Sequence, residues 1–365
     1  MENKGLSGLG NLGNTCFMNT TLQLFSQTPE LYRIIDTFIQ ENKDKVNENQ
    51  VQNEVSQSNL NLRLLKEWYD LRNLMWSKNC IINPGGWVRA VQVVAKAKNL
   101  DIFTGFAQND LPEFMFFMLD TFHEAMKRQV KMNISGTCKN NKDKLAVACY
   151  ESIKEFYSKE YSNLIDDFFG VQVTQLLPLK DKDETNSNEP LSIKPEPFML
   201  CNLPLTFENG KRNQCSLKEC FDAFIEEEIL EGDNAWFNEK TNQKQSVRKK
   251  TTFWSLPEIL IVVLKRFNNM GRKIQMKVDV PLKDLDLSSY VDGYNKASYV
   301  YDLYGVANHT GGGMGGHYYA FINVDGVGWV NFNDTRVSPI SPKDVESGKL
   351  ITPHAYVLFY RKKKS

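Results

Sequence analysis

Helical and strand-like patterns occupy different parts of this chain, and that separation limits the folds it can adopt. In the first half, apolar residues recur at helical spacing, for example Leu64, Trp68, Leu71 and Met75. From Phe168 onward the pattern is mostly that of strands. There is no internal repeat and no sign of an appended module, so we expect one domain over residues 5–362.

The composition is that of a globular protein without a strong electric field. The chain has 365 residues and a formal net charge of +0, which favours neither nucleic acid nor an anionic membrane as a partner. No apolar run reaches the roughly 20 residues of a membrane span, and the N-terminus lacks the pattern of a signal peptide. With 7 cysteines and no export signal, we expect an intracellular protein, cytoplasmic or nuclear, with free thiols.

Cysteine spacing does not favour a metal site. No two cysteines form a Cys-x-x-Cys pair, and the nearest two are Cys215 and Cys220. Structural zinc usually takes ligands about two to four residues apart. We therefore expect neither a metal nor a cofactor.

One cysteine stands where a glycine-rich loop turns into a helix. Cys16 follows Gly10 and Gly13, and the apolar residues after it keep a helical rhythm until Pro29. A helix N-terminus carries partial positive charge and unpaired N–H groups, and both favour a thiolate. A lone cysteine is more often a small buried apolar residue. This pattern by itself leaves a reactive and a structural Cys16 about equally open.

A second glycine-dense stretch, NHTGGGMGG, precedes His317 and predicts a flexible loop that ends at a strand. Alternation in that strand places His317, Tyr319 and Phe321 on one face. The next alternating segment, GWVNFNDTRV, can form a hairpin with it and bring Asn333 beside His317. The chain then has a Cys–His–Asn set, in which an amide oxygen orients the imidazole.

These segments resemble the sequence boxes of the ubiquitin-specific proteases, papain-like cysteine proteases that remove ubiquitin from proteins. GLGNLGNTCFMNTTLQLF is similar to the cysteine box, and GGHYYAFI with WVNFND is similar to the histidine box. AQNDLPEFMFFMLDTFHEAM and LPEILIVVLKRF resemble two further signatures, and AYVLFYRK resembles the last strand. The resemblance spans nearly the whole chain in the order of the family. It implies an α+β, papain-like fold with a helical thumb, a β-rich palm and β-fingers.

The resemblance also implies catalytic roles. It matches Cys16 to the nucleophile, His317 to the general base and Asn333 to the residue that accepts a hydrogen bond from His317 Nδ1. Asn11 matches the oxyanion-hole side chain, which together with the Cys16 main-chain N–H gives two donors for a tetrahedral oxyanion. Asp334 stays open as a second orienting residue, because it can swing inward if the strand ends before Asn333.

Three more residues are implied in substrate binding. In the family, the segment that begins at Asp110 lines the channel for the basic, extended C-terminal tail of ubiquitin. Asp110 and Glu113 are therefore candidates to pair with its arginines. Their spacing is also that of a capping box at a helix start, which explains both acids without a ligand. His309 matches a histidine that shapes the cleft before the catalytic one.

The family architecture gives expected bounds for each part. We expect a helical thumb over about 8–165 and a β-rich half over about 166–362, with fingers at about 168–265. Residues 41–58 are expected to form a surface insertion, and residues 180–190 a fingertip loop. Many members bind zinc at the fingertips through two Cys-x-x-Cys pairs. The matching positions here are Pro178, Asp181, Asn238 and Thr241, so we expect zinc-free fingers held by strand pairing and packing.

The expected activity is that of a thiol isopeptidase that cuts after the C-terminal glycine of ubiquitin in conjugates or chains. Two alternatives stay open: a catalytically weak pseudoenzyme that binds ubiquitin, and a protease for another ubiquitin-like modifier. A Cys–His transferase of the transglutaminase kind shares the constellation but not the order of the segments. The expected partners are ubiquitin and ubiquitinated proteins, and we expect the chain to be a monomer.

Overall fold

The computed structural model describes residues 4–43, 57–179, 189–205, 213–268, 270–313 and 315–364. Most helices precede Gly170 and most strands follow it, as the separated sequence patterns predict, and the α+β class is confirmed. The helices are α1 (Cys16–Ser26), α2 (Pro29–Glu41), α3 (Gln57–Ser77), α4 (Gly85–Ala97), α5 (Leu111–Met126), α6 (Asn141–Tyr157), α7 (Leu164–Phe168), α8 (Leu217–Ile225) and α9 (Pro342–Glu346).

The strands follow a similar division. Two short ones lie among the helices: β1 (Gly8–Leu9) and β2 (Ile81–Ile82). The others are β3 (Gly170–Pro178), β4 (Ser192–Phe198), β5 (Leu200–Leu203), β6 (Gln214–Ser216), β7 (Glu228–Leu230), β8 (Trp236–Asn238), β9 (Gln243–Gln245), β10 (Val247–Ser255), β11 (Ile259–Leu264), β12 (Lys277–Asp279), β13 (Leu285–Asp286), β14 (Val300–Gly312), β15 (Gly315–Val324), β16 (Gly328–Asn333), β17 (Arg336–Pro339) and β18 (Ala355–Lys362).

Helix α1 lies at the centre of the molecule. All of its residues are buried, because it packs against α2 and α5 on one side and against β14, β15 and β16 on the other. The apolar stripe predicted for α3 is also buried, with Leu64 and Trp68 fully inaccessible. Among the described residues, no helix has both the length and the apolar character needed to cross a membrane.

A large sheet carries the other half of the core. Its strand order is β17-β16-β15-β14-β18-β11-β5, with β13 added beside β14. Both faces are covered, and β11 is buried at every position because its residues alternate between two cores. Ile261 packs into the core shared with α1, whereas Val262 packs into the core shared with α8. The predicted last strand is confirmed as Ala355–Lys362.

A smaller sheet, β4-β3-β10-β7, and the β8–β9 hairpin lie within the range expected for the fingers. The same range also includes β5 and β11, which pair with each other in the large sheet. The expected insertion at 41–58 overlaps a helix at each end, since α2 includes Glu41 and α3 begins at Gln57. Its residues 44–56, and residues 180–188 of the expected fingertip loop, lie outside the described residues.

The glycines before His317 form strands instead of the predicted flexible loop. β14 continues to Gly312 and β15 begins at Gly315, with Gly311 opposite Gly316 and Thr310 opposite His317. The prediction was wrong because glycines weaken a strand signal in the sequence, whereas here the neighbouring strand supplies the missing support. The hairpin carries the site histidine on a paired strand.

Candidate active site

The loop before Cys16 is folded around one side chain. Asn11 Oδ1 accepts hydrogen bonds from the main-chain N–H groups of Gly13 and Thr15, both at 3.1 Å. Gly13 has φ +100°, a left-handed conformation that glycine adopts without strain. Thr15 then leads into α1, which begins at Cys16. The predicted loop–cysteine–helix arrangement is therefore present, with Cys16 only 4% exposed.

The predicted contact between His317 and the orienting amide is also present. His317 Nε2 donates to Asn333 Oδ1 over 2.7 Å. The ring nitrogen differs from the expected Nδ1. β16 continues through Asn333, and its pairing with β15 places Asn333 on the same face of the sheet as His317.

The electrostatic surroundings of His317 favour the imidazolium. Its pKa is raised to about 9, first by the hydrogen bond with Cys16. Desolvation opposes this rise, whereas the hydrogen bond with Asn333 and the charges of Cys16 and Asp334 add to it. The ring is consequently protonated at neutral pH and sits beside the Cys16 sulfur.

Asp334 follows the end of β16 and contacts the loop that precedes Cys16. It leaves the strand with φ +51°, and its main-chain oxygen accepts from the Leu9 N–H at 2.9 Å. Its carboxylate accepts from Asn11 Nδ2 at 3.0 Å and from Asn19 Nδ2 at 2.8 Å. The structure thus gives the two neighbouring residues different contacts: Asn333 with the histidine, and Asp334 with the cysteine segment.

This network fixes the direction of the Asn11 amide. Its oxygen is held by the loop, and one of its two N–H groups is held by Asp334, so the second N–H is the remaining donor. Cys16 is the first residue of α1, and its N–H precedes the hydrogen-bond ladder of the helix. The geometry leaves these two donors for a ligand at the site.

The capping box that the spacing of Asp110 and Glu113 allows is not formed. Asp110 does occupy the N-cap of α5, but its side chain makes no cap hydrogen bond. Its carboxylate instead accepts from the hydroxyls of Tyr356 at 3.0 Å and Tyr318 at 3.2 Å. Burial raises the pKa of Asp110, against the hydrogen bonds from the two tyrosines. Asp110 therefore joins α5 to β18 and β15, while Glu113 stays exposed on the helix.

His309 lies in the wall behind the site. It is 4% exposed and its ring packs on Tyr318, with centroids 4.5 Å apart, and on Phe267, with centroids 5.7 Å apart. Burial, followed by the positive charge of Lys273, lowers the pKa of His309 to about 4. Lys273 Nζ donates to the main-chain oxygen of His309. The neutral His309 ring and Asp110 line the same pocket, which has a volume of about 380 Å³.

The sequence patterns do not identify the residues that connect the segments of the site. Asn19 is one of them, and its position one helical turn after Cys16 is the signal that could have found it. Tyr318 alternates with His317 along β15, which places it on the opposite face, toward Asp110. Gln108 bonds to Gly316 across the cleft, and no local pattern reveals that contact.

The positions expected to replace a zinc site are only partly described. Asn238 ends β8, and its side chain bonds to Gln245 Oε1 and to the Lys240 N–H. Asp181 lies outside the described residues. Within the part of the chain that the structure describes, no group of three or more His, Cys, Asp or Glu side chains could hold a metal ion. The seven cysteines are all free thiols, with Cys80 and Cys138 exposed.

The similarity of this chain to known proteins extends over nearly its whole length. The family model described as ubiquitin carboxyl-terminal hydrolase matches residues 7–360. Ubiquitin carboxyl-terminal hydrolase 2 of Homo sapiens is 31% identical over 98% of this chain and 55% of its own length. Ubiquitin carboxyl-terminal hydrolase Usp2 of Drosophila melanogaster is 30% identical over 99% of this chain and 35% of its own length. The chain thus spans about a third to about half of these relatives.

Solved structures show the same fold. The Ubp8 deubiquitinase module of SAGA bound to monoubiquitin aligns with a TM-score of 0.67 and 24% identity, over 100% of this chain and 71% of that chain. The papain-like arrangement expected from the resemblance is confirmed. Because the family model covers nearly the entire sequence, including the cysteine and histidine segments that the structure brings together, the chain belongs to the ubiquitin carboxyl-terminal hydrolase family.

Proposed function

We propose that this chain is a thiol isopeptidase that hydrolyses the bond after the C-terminal glycine of ubiquitin in conjugates or chains. The observation that carries the proposal is the Cys16–His317–Asn333 set, assembled from the two segments that resemble the family's boxes. The relatives are named ubiquitin carboxyl-terminal hydrolases, and one similar structure is a Ubp8 module bound to ubiquitin aldehyde. Both support ubiquitin as the partner.

The proposed reaction proceeds in two stages. The Cys16 sulfur attacks the glycine carbonyl carbon, and the oxyanion that forms accepts from Asn11 and from the Cys16 N–H. His317, protonated at neutral pH, gives its proton to the leaving lysine amine as the C–N bond breaks. Water then attacks the thioester while His317 takes one of its protons. The Cys16 thiolate leaves and the glycine carboxylate is released, which restores the enzyme.

Asn333 and Asp334 are proposed as positioning residues in this scheme. Asn333 holds the imidazole through Nε2 and so leaves the other ring nitrogen for the cysteine. Asp334 holds the Asn11 amide and, through Asn19, the first turn of α1. Glu113, exposed near the N-terminus of α5, is proposed to meet the basic tail of ubiquitin. Asp110 and His309 shape the pocket beside it.

The alternatives differ in what they do with a ubiquitin probe. A pseudoenzyme would bind ubiquitin without reacting, and a protease for another modifier would react with a different probe. The intact set of contacts around His317 favours an active enzyme over a pseudoenzyme. We also propose an intracellular location, which the free cysteines support, and a monomeric state.

The test is reaction with ubiquitin that carries a C-terminal vinyl methyl ester, followed by intact mass and peptide mapping. We expect one adduct on Cys16, none on the Cys16→Ala variant, and an undiminished adduct on Cys80→Ala, which removes another, exposed cysteine. Cleavage of di-ubiquitin should follow the same pattern. An adduct on Cys80, or reaction only with a different ubiquitin-like probe, would contradict the proposal.

A further inference from the structure

One side chain crosses the cleft beside the catalytic histidine. Gln108 lies in the segment before α5, and its Oε1 accepts from the Gly316 N–H at 2.8 Å. Its Nε2 donates to the Gly316 main-chain oxygen at 3.1 Å. A single amide therefore satisfies both main-chain polar groups of the residue that directly precedes His317.

The edge of β15 is open where Gln108 meets it. β16 pairs with β15 only from Ala320 to Val324, so in the described structure residues 315–319 have no strand on that side. The Gln108 amide takes the place of one residue of such a strand, because it offers one acceptor and one donor. An extended peptide laid along this edge would need the same two Gly316 groups.

The contact between Gln108 and Gly316 lies at the wall of the pocket, directly before His317. The pocket has walls from the α5 side at Asp110 and from the large sheet at Tyr318 and Tyr356. Gln108 and Gly316 line it as well, whereas Cys16 and His317 are not among its lining residues. Gln108 bonds both to Gly316, next to His317, and through its Nε2 to Asn14 Oδ1 at 3.4 Å, two residues before Cys16, so a chain that runs from this pocket to the sulfur has to pass its side chain.

The Gln108 side chain fits closely against the main chain of β15. A Cβ atom at Gly315 would lie 2.6 Å from Gln108 Oε1, so any side chain there would displace the amide. On the other side, the Asn14 amide donates to the Phe106 main-chain oxygen at 2.9 Å and ties the Gln108 segment to the cysteine loop. Gln108 itself is exposed, so its side chain can rotate away without disturbing the core.

We propose that Gln108 bars the tail channel in the free protein, and that the main chain of the substrate tail must replace its two hydrogen bonds with Gly316 to reach Cys16. This inference rests on the proposed function. The bar selects for a partner that can pair as a strand: an extended chain with narrow residues and free main-chain N–H and C=O groups next to the scissile bond. A small thiol reagent that approaches Cys16 from solvent does not need to open it.

The two hydrogen bonds are neutral and solvent-exposed, so each adds only modestly to the closed state. Their loss should raise the fraction of protein in which the Gln108–Gly316 contact is absent. The apparent rate of a reagent attached to the ubiquitin tail rises with that fraction. We expect about a fivefold increase in the second-order rate of Cys16 labelling by ubiquitin vinyl methyl ester in Gln108→Ala. Gln108→Glu keeps the acceptor but loses the donor, so it should fall between Gln108→Ala and the wild type.

The matched control is Gln92→Ala, which removes another glutamine of the helical half whose amide bonds to the Gly105 main-chain oxygen. Its labelling rate should equal that of the wild type. Iodoacetamide labelling of Cys16, followed by mass spectrometry, should be unchanged in all variants, because the Cys16–His317 pair is not altered.

The outcomes separate this inference from the proposed function. If Gln108→Ala reacts with the ubiquitin probe no faster than the wild type, Gln108 does not block the channel for the tail. If it reacts more slowly with both the probe and iodoacetamide, Gln108 positions the His317 strand, which also overturns the inference. If iodoacetamide labels wild-type Cys16 but the ubiquitin probe does not, the proposed function itself fails, and this inference fails with it.

Discussion

At the scale of single residues, His317 carries the charge of the site. Its folded-state pKa of about 9 lies above the ordinary value of 6.5, chiefly because of the hydrogen bond with Cys16. A group whose pKa is raised by folding stabilises the protein most below its unfolded value. The contribution of His317 is therefore fully present below about pH 6.5 and is lost as the pH rises toward 9.

The first prediction concerns that pKa. Cys16→Ala removes the first cause of the shift, so the pKa of His317 should fall toward its ordinary value. NMR titration of the histidine Cε1–H signals measures it, and His309, whose pKa is lowered to about 4, gives an internal reference in the same spectra. A His317 that still titrates near pH 9 in Cys16→Ala would show that another group holds the proton.

The second prediction separates Asn333 from Asp334. Asn333→Ala removes the hydrogen bond to the imidazole, so kcat should fall by about 10²-fold and the basic limb of kcat/KM should move to lower pH. Asn333→Asp should keep much of the activity, because it retains the acceptor. Asp334→Ala should lower kcat less and move the limb less, since its carboxylate contacts Asn11 and Asn19. A larger loss and a larger pH shift in Asp334→Ala, with folding intact, would reverse these roles.

At the scale of elements, the β8–β9 hairpin lies in the range expected for the fingers, and hydrogen bonds hold its two strands together. Trp236 pairs with Gln245 and Asn238 with Gln243 in a short antiparallel ladder. The Asn238 amide donates to Gln245 Oε1 and accepts from the Lys240 main-chain N–H. One side chain therefore contacts both the opposite strand and the turn. Thr241 adds a hydroxyl bond to the Asn238 main-chain oxygen.

The third prediction is that the purified protein contains no stoichiometric zinc and keeps its thermal midpoint in a chelator. Elemental analysis and thermal melts with and without EDTA measure these two properties. Asn238→Ala should lower the midpoint through the lost hairpin bonds, and added zinc should not restore it. About one zinc per chain, or a chelator-induced loss of folding, would show that ligands outside the expected positions bind the metal.

At the scale of the whole molecule, the local parts of the site could be predicted from sequence and the connections between them could not. The helix start at Cys16 and the alternation that brings Asn333 to His317 depend on short periodic patterns. Asn11 and Asp334 are 323 residues apart, and their contact leaves no periodic signal. The capping spacing of Asp110 was misleading, because two tyrosines brought in by distant strands compete for the same carboxylate.

Asp110 also connects the two halves of the molecule. Tyr318 is 208 residues away along the chain and Tyr356 is 246, yet both hydroxyls reach the carboxylate at the N-terminus of α5. This carboxylate is partly buried, and its loss leaves two tyrosine hydroxyls without that partner at the junction of helices and sheet. Glu113, one turn further along α5, is exposed and lacks these contacts. The two acids of the segment therefore have separable effects.

The last prediction uses that difference. Asp110→Ala should lower the free energy of unfolding by about 2–4 kcal/mol, with activity falling as the folded fraction falls. Tyr356→Phe should reproduce part of the loss. Glu113→Lys should leave the free energy of unfolding within about 0.5 kcal/mol and raise KM for a ubiquitin substrate, because it places a positive charge where we propose the basic tail binds. Urea denaturation and steady-state kinetics on the same preparations measure both quantities. If Asp110→Ala raised KM without destabilising the protein, its carboxylate would act on the substrate and the tyrosine contacts would be secondary. If Glu113→Lys left KM unchanged, Glu113 would have no part in tail recognition.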